Sequence, residues 1–248
     1  MIIAVTSWRG IGTTTTALLL AVSLAEREPC WLVEADPAGG VLAGRVHLGA
    51  RALGALEHIA FPSDQLVGVD AFDSFAHHRG ALRVVAAPAD PFRAHACHSP
   101  RLPWMQVLHE LNGVVVVDVG RVRAGATPWP LLELADSIVL VTSPEVCAAV
   151  GTTEWLLASG RVSPSEPGID DAPVRVAVVD QPGGVAFDRA AMEAELEERW
   201  GAWLPWEPDT VDVIQRGATW SDRRLRRSRL VAAVDELSGC VREPVGVR

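Results

Sequence analysis

The sequence contains no lysine and no tyrosine; all 22 of its basic residues are arginine. Phosphate chemistry that relies on a lysine ammonium from the same subunit is therefore excluded. No apolar run reaches the roughly 18–20 residues that span a bilayer. The longest, Ala17 to Ala25, follows a Gly/Thr stretch and reads as a buried helix. The four cysteines (Cys30, Cys97, Cys147, Cys240) lie far apart and form no CxxC pair. They read as reduced, partly buried thiols, and a cytoplasmic location is expected. Charge is also scarce, at 21% of residues against 49% hydrophobic, which excludes a disordered chain. A net charge of −9 argues against wholesale coating of nucleic acid.

What is present is an alternation of strand-length apolar runs with helical stretches, the pattern of a doubly wound sheet. Ile2 to Thr6 is apolar throughout, as a parallel strand buried on both faces is. It reads as a first strand rather than a signal peptide, since no basic segment precedes it. Further strands are predicted at Cys30–Glu34, Leu82–Ala86, Gly113–Asp118, Ser137–Thr142 and Val174–Val179. Helices are predicted at Thr13–Arg27, around Ala50–Ile59, and at Leu102–Leu111 and Glu145–Ala158. Two more are expected at Asp188–Trp200 and Asp222–Leu237, with a polar connection at Ser163–Pro173. The expected fold is a three-layer α/β, mostly parallel sheet with helices on both faces. No repeat or linker divides it, so one domain over residues 1–248 is expected.

Between the first strand and the first helix lies Ser7-Trp8-Arg9-Gly10-Ile11-Gly12-Thr13-Thr14. In such a strand–loop–helix turn, backbone N–H groups and the helix dipole together favour an anion. Against the phosphate-loop pattern G-x-x-x-x-G-K-[ST], Gly12 matches the second glycine and Thr14 the Mg²⁺-binding hydroxyl. Ser7 replaces the first glycine and Thr13 replaces the lysine. Taken alone, Gly10, Gly12 and Thr13 to Thr16 equally describe a tight turn with good helix caps.

The stretch from Trp8 to Thr15 resembles the K-G-G-x-G-K-T-T loop of the MinD/ParA group of P-loop ATPases, with both signature lysines replaced, by Trp8 and Thr13. The resemblance continues at Glu34-Ala35-Asp36-Pro37, similar to the family's D-x-D-P element, and at Val115-Val116-Val117-Asp118, similar to its Walker B strand. It extends to Val141-Thr142-Ser143-Pro144-Glu145 and to Trp206-Glu207-Pro208-Asp209, which looks like the family's loop near the base, with Gln215-Arg216-Gly217 beyond it. It covers roughly residues 1 to 237. It implies ATP and Mg²⁺ as cofactors and a homodimer that works with a protein partner in positioning, partitioning or assembly. It assigns phosphate contacts to Arg9, Gly10, Ile11, Gly12, Thr13, Thr14 and Thr15, metal contacts to Thr14 and Asp118, and the orientation of the attacking water to Asp36. The lost lysines imply weak or absent hydrolysis, with Arg9 or a partner's arginine compensating in part. The alternative is a scaffold that binds no nucleotide. Lysine-free loops of this kind resemble those of pilus-assembly TadZ/CpaE-like and septum-site-like proteins of actinomycetes, and the heavy Arg, Ala and Val usage fits such a genome.

Three other features invite a function. His95-Ala96-Cys97-His98, with His77-His78 upstream, has no second ligand pair at metal spacing and reads as an exposed loop. Arg223, Arg224, Arg226, Arg227 and Arg229 form the densest basic run. They are placed at the start of a helix, where they oppose its dipole. A docked last helix is one reading; nonspecific DNA or a membrane surface is the other. Nine tryptophans are many; Trp8, inside the loop, is expected either to fill the phosphate pocket or to pack against a dimer mate.

Overall fold

A computed structural model describes residues 1–49, 53–62, 66–99, 102–121, 126–159, 173–183, 186–218, 222–225 and 227–242. The chain runs β1 (Ile2–Ser7), α1 (Thr13–Ala25), β2 (Cys30–Glu34), α2 (Leu42–Arg45), α3 (Ala55–Ala60) and α4 (Gly68–Phe75). There follow β3 (His77–Arg79), β4 (Leu82–Val85), α5 (Pro91–Ala96), α6 (Trp104–Val107), β5 (Val114–Arg121) and α7 (Trp129–Glu133). The chain then forms β6 (Ser137–Thr142), α8 (Val146–Ser159), β7 (Val174–Val179) and α9 (Arg189–Leu196). It closes with β8 (Trp200–Leu204), α10 (Pro208–Gln215) and α11 (Arg229–Cys240).

The eight strands form one sheet in the order β3-β4-β2-β5-β1-β6-β7-β8. All neighbouring pairs are parallel except β3 and β4. Because successive side chains of a strand point to opposite faces, β1 feeds two cores. Ile2 and Ala4 join one, with α3, α4, α6, α7, α8 and α9. Ile3 and Val5 join the other, with α1, α10 and α11. Every residue of β1, β2 and β6 is buried, which explains why their sequences are unbroken apolar runs rather than alternating ones.

The expected three-layer parallel architecture is present. Several expected elements differ in detail. Instead of one helix near Ala50–Ile59, the stretch before β4 holds three short helices and the edge strand β3. The helix expected to end at Trp200 stops at Leu196, and Trp200 instead begins β8. The helix expected from Asp222 starts only at Arg229, because the Ser228 hydroxyl accepts from Val231 N at 3.1 Å and caps it there. The polar connection Ser163–Pro173 lies outside the described residues apart from Pro173. Among the described residues, no helix is long and apolar enough to cross a membrane.

Candidate functional site

The turn from β1 into α1 is held by its own side chains. Ser7 Oγ accepts from Gly10 N at 2.7 Å and from the Thr13 hydroxyl at 2.8 Å. Thr13 stands where a phosphate loop carries lysine, yet its hydroxyl points back into the loop and is nearly buried. Gly12 caps α1 in the left-handed conformation, with φ of 69°. No side chain caps the helix, and its first turn carries no acid. The N–H groups at the start of this 13-residue helix thus face a cleft without a side-chain cap from Gly12 and without an acid in their own first turn.

That cleft, of about 110 Å³, is lined by Gly10, Gly12, Thr13, Thr14, Thr15, Asp36, Arg45, Gly120 and Arg121. Of the loop residues named from sequence, Gly10, Gly12, Thr13, Thr14 and Thr15 therefore meet there. Arg9 and Ile11 do not line it: the Arg9 guanidinium sits 5.5 Å from the centroid of the Trp8 ring. Trp8 itself does not line the cleft. Its indole packs against Gly151 of α8, where an added Cβ would come within 2.7 Å of the ring.

Asp36 follows β2 and reaches the cleft half-buried, its Oδ1 accepting from Ala38 N at 2.8 Å. Burial pushes its carboxyl above the usual range, against the pull of that N–H. Gly120 makes room for it: a Cβ there would lie 2.2 Å from Asp36 Cγ, and the backbone φ is 66°. Glu34, two residues earlier, is turned away from the cleft. It accepts from Val41 N, Leu42 N and Ala87 N at 2.7, 2.8 and 3.0 Å, tying the end of β2 to α2 and to the chain after β4. Its pKa is raised by burial, which those three N–H groups oppose.

Asp118 is fully buried within β5. Its Oδ1 accepts from Gly120 N at 3.1 Å, while Oδ2 has no hydrogen-bond partner among the described residues. Burial raises its pKa to about 7; the Thr14 hydroxyl opposes the rise, and the charges of Glu34 and Asp36 add to it. An orphaned, buried carboxylate oxygen beside a threonine hydroxyl at a helix start fits a hard divalent cation such as Mg²⁺, which oxygen ligands hold. Thr14 and Asp118 are the residues that would hold it.

Beside the cleft lies an apolar slot of about 210 Å³, whose lining includes Val179, Leu204, Pro205, Trp206, Val211 and Leu230. Gly12 and Thr15 border both spaces. Trp206 and Glu207 thus fall at the slot, and Gln215 lines it too. Glu207 fixes this region: Thr210 and Ser228 hydroxyls donate to it at 3.0 and 2.6 Å, and Arg229 N at 3.2 Å. Burial pushes the Glu207 carboxyl up, but these bonds outweigh it and hold it below its ordinary value.

A polar cleft joined to an apolar slot at the start of α1, on the carboxyl ends of parallel strands, is the site type of doubly wound sheets. No protein-family model matches this sequence, and a search of curated proteins finds no match. Solved structures do match. The cell division ATPase MinD of Pyrococcus furiosus aligns over 97% of this chain and 98% of its own, at 16% identity and a TM-score of 0.73. A ParA family ATPase from Chlorobium tepidum aligns over 96% of each chain at 16% identity and a TM-score of 0.72. The chain has the fold of MinD and ParA ATPases. The septum site-determining protein MinD of Pyrococcus horikoshii, solved with Mg-ADP, gives 15% identity over 99% of this chain and 97% of its own, with a TM-score of 0.71.

The reading from sequence missed two arginines at this cleft. Arg45 of α2 donates through Nη1 to Thr15 Oγ1 at 2.8 Å. Arg121, the last residue of β5, donates through Nε to the Trp8 carbonyl at 3.1 Å. A signal for Arg121 was its place three residues after Asp118 at the end of a strand; Arg45 had none.

The other sequence features fall elsewhere. His95 lies in helix α5, not an exposed loop, and Cys97 and His98 just beyond it are buried, with His98 edge-on to Trp104. Among the described residues, no group of three or more His, Cys, Asp or Glu is placed to hold a metal. Of the arginine run, Arg226 lies outside the described residues. Arg224 pairs with Asp222, and Arg229, the first residue of α11, pairs with Glu207. Arg223 and Arg227 are exposed. Leu230, Val234 and Leu237 dock α11 into the core that it shares with α1.

Proposed function

We propose that this chain binds a nucleoside di- or triphosphate with Mg²⁺, hydrolyses it weakly or not at all, and acts as a homodimer in intracellular positioning, partitioning or assembly. The observation that carries the reading is the meeting of the uncapped start of α1 with the apolar slot at Gly12 and Thr15. The cleft suits the phosphates and the slot suits a base. The likeness to MinD and ParA structures, one of them solved with Mg-ADP, supports the choice of ligand.

Weak hydrolysis follows from the absence of lysine. Preorganised cations act where charge develops, and the loss of one such donor typically slows a reaction about 10²–10³-fold. Asp36 is the residue we place at the attacking water. Residues 1–248 are read as one domain, since the single sheet draws strands from Ile2 to Leu204. Dimerisation is supported by α8, which packs on Trp8 and leaves Val146, Val150 and Leu157 half exposed.

Thermal unfolding with and without Mg-ATP tests the reading. Ligand at a hundred times its Kd adds about 2.7 kcal/mol, a rise of roughly 5–10 °C for a chain of this size. No rise at millimolar nucleotide would favour the second reading, a scaffold that keeps the fold without the ligand. That reading is supported by the placement of Thr13, whose hydroxyl holds Ser7 where a lysine would reach a phosphate.

A further inference from the structure

We propose that Arg45 and Arg121 form a two-guanidinium clamp on the phosphate chain of the bound ligand, in place of the lysines the sequence lacks. The proposal rests on the nucleotide-binding reading and says which side chains make it workable.

A polyphosphate entering this cleft meets an acidic neighbourhood. Asp36 lines the cleft; its charge raises the pKa of Glu34, and the charges of Glu34 and Asp36 both raise that of Asp118. Neutral N–H groups of the loop and the helix dipole offset only part of that repulsion. A cationic side chain would add to what Mg²⁺ offsets, and no lysine exists to supply one. The cations that line the cleft are Arg45 and Arg121. Arg9, which the sequence puts nearest the loop, is drawn over the Trp8 ring instead.

Both arginines are positioned before any ligand arrives. Arg121 uses Nε on the Trp8 carbonyl, which leaves its two Nη groups as a fork directed by a fixed stem. Arg45 uses Nη1 on the Thr15 hydroxyl, in the first turn of α1. Among the described residues, neither guanidinium is paired with a carboxylate. A planar fork held at one corner loses less freedom on meeting a phosphate than a loose lysine stem does, and it can bind two oxygens at once. Trp8 therefore has a role at the position of the family's signature lysine: its ring is seated on Gly151 and its carbonyl holds Arg121. Two forks from separate elements, with an open helix start between Thr13 and Thr15, suit two or more linked phosphates better than one.

The test is calorimetric titration of ATP, pyrophosphate and adenosine into the wild-type chain and into Arg45→Gln, Arg121→Gln, Arg121→Lys and the exposed control Arg199→Gln. Each glutamine variant is expected to weaken ATP and pyrophosphate binding about tenfold or more, the worth of one charge-assisted hydrogen bond. Adenosine binding is expected to stay as in wild type. Arg121→Lys should recover part of the loss, because the charge remains while the fork does not. Melting of the unliganded variants should match wild type, since both side chains are exposed; a merely structural role would lower it and would weaken adenosine as well. Wild-type ATP affinity in both glutamine variants overturns the clamp and leaves the nucleotide reading standing. Failure of the wild-type chain to bind ATP or pyrophosphate overturns both.

Discussion

The indole of Trp8 rests on the backbone of Gly151, so near that a Cβ at position 151 would stand 2.7 Å from two ring carbons. This contact fastens the turn between β1 and α1 to α8, and the Trp8 carbonyl in turn holds Arg121. Replacing Gly151 by alanine sets two effects against each other. Alanine gains up to about 1 kcal/mol of helix propensity, while overpacking costs about 1–3 kcal/mol. The ring cannot retreat far, because it is partly buried in the core, so the clash is expected to win. Gly151→Ala should therefore lower the denaturation midpoint, and the penalty should vanish in a Trp8→Ala background, where the double-mutant cycle removes the clash.

Asp118 gives the unliganded chain a pH dependence of known sign. Its folded pKa of about 7 lies above the ordinary value of 3.8, so the folded state favours the protonated carboxyl. The associated stability is fully present below about pH 4, falls as pH rises through the interval, and is gone above about pH 7. By linkage the change amounts to roughly 4 kcal/mol. Asp118→Asn should flatten this slope and be more stable than wild type at pH 8, measured by urea denaturation at several pH values without Mg²⁺. A wild type that grows more stable relative to the variant between pH 5 and pH 8 would reverse the sign.

Exposed Val150, at 56% accessibility on α8, lies near the same turn as Gly151. In a homodimer built on this face, Val150→Asp buries a charge against apolar surface, at several kcal/mol. Sedimentation with Mg-ATP should show a dimer for wild type and a monomer for the variant, both with the same nucleotide-free melting temperature. Equal dimerisation of the two proteins would move the interface elsewhere.

Two arginines of the run are paired within the chain, Arg224 with Asp222 and Arg229 with Glu207. Arg223 and Arg227 are the exposed heads among its described residues that lack such a partner. Duplex DNA binding, tested by fluorescence anisotropy, should accordingly be weak, with a log–log salt slope near −2, about 0.9 for each phosphate neutralised. A slope of −4 or steeper would mean that the paired arginines also release their acids for DNA.

How much of this was legible in the sequence depends on how local the cause was. Ile2 to Thr6, Cys30 to Glu34 and Ser137 to Thr142 announce themselves because a strand buried on both faces must be apolar throughout. Trp200 to Leu204 did not, because its Gly and Ala leave a weak run that follows a helical pattern without a break. The start of α11 was misplaced because the leucine spacing continues upstream to Leu225, while the true stop is set by the Ser228 cap and a turn in which Arg224 N donates to Asp222. In the site, Gly12, Thr14, Asp36 and Asp118 could be placed by order along the chain. Arg45 and Arg121 could not: each enters the cleft through the approach of separate elements, and one is held by a carbonyl 113 residues away in sequence. The destination of Trp8 was equally hidden, since nothing near it in sequence points to Gly151.

Equilibrium dialysis of the chain against millimolar ATP with Mg²⁺ tests the central claim most directly. The account predicts one nucleotide bound per chain, displaced by pyrophosphate and, separately, by adenosine, because the cleft and the slot hold different halves of one molecule. Retention of no nucleotide, or of a nucleotide that pyrophosphate fails to displace, would contradict it.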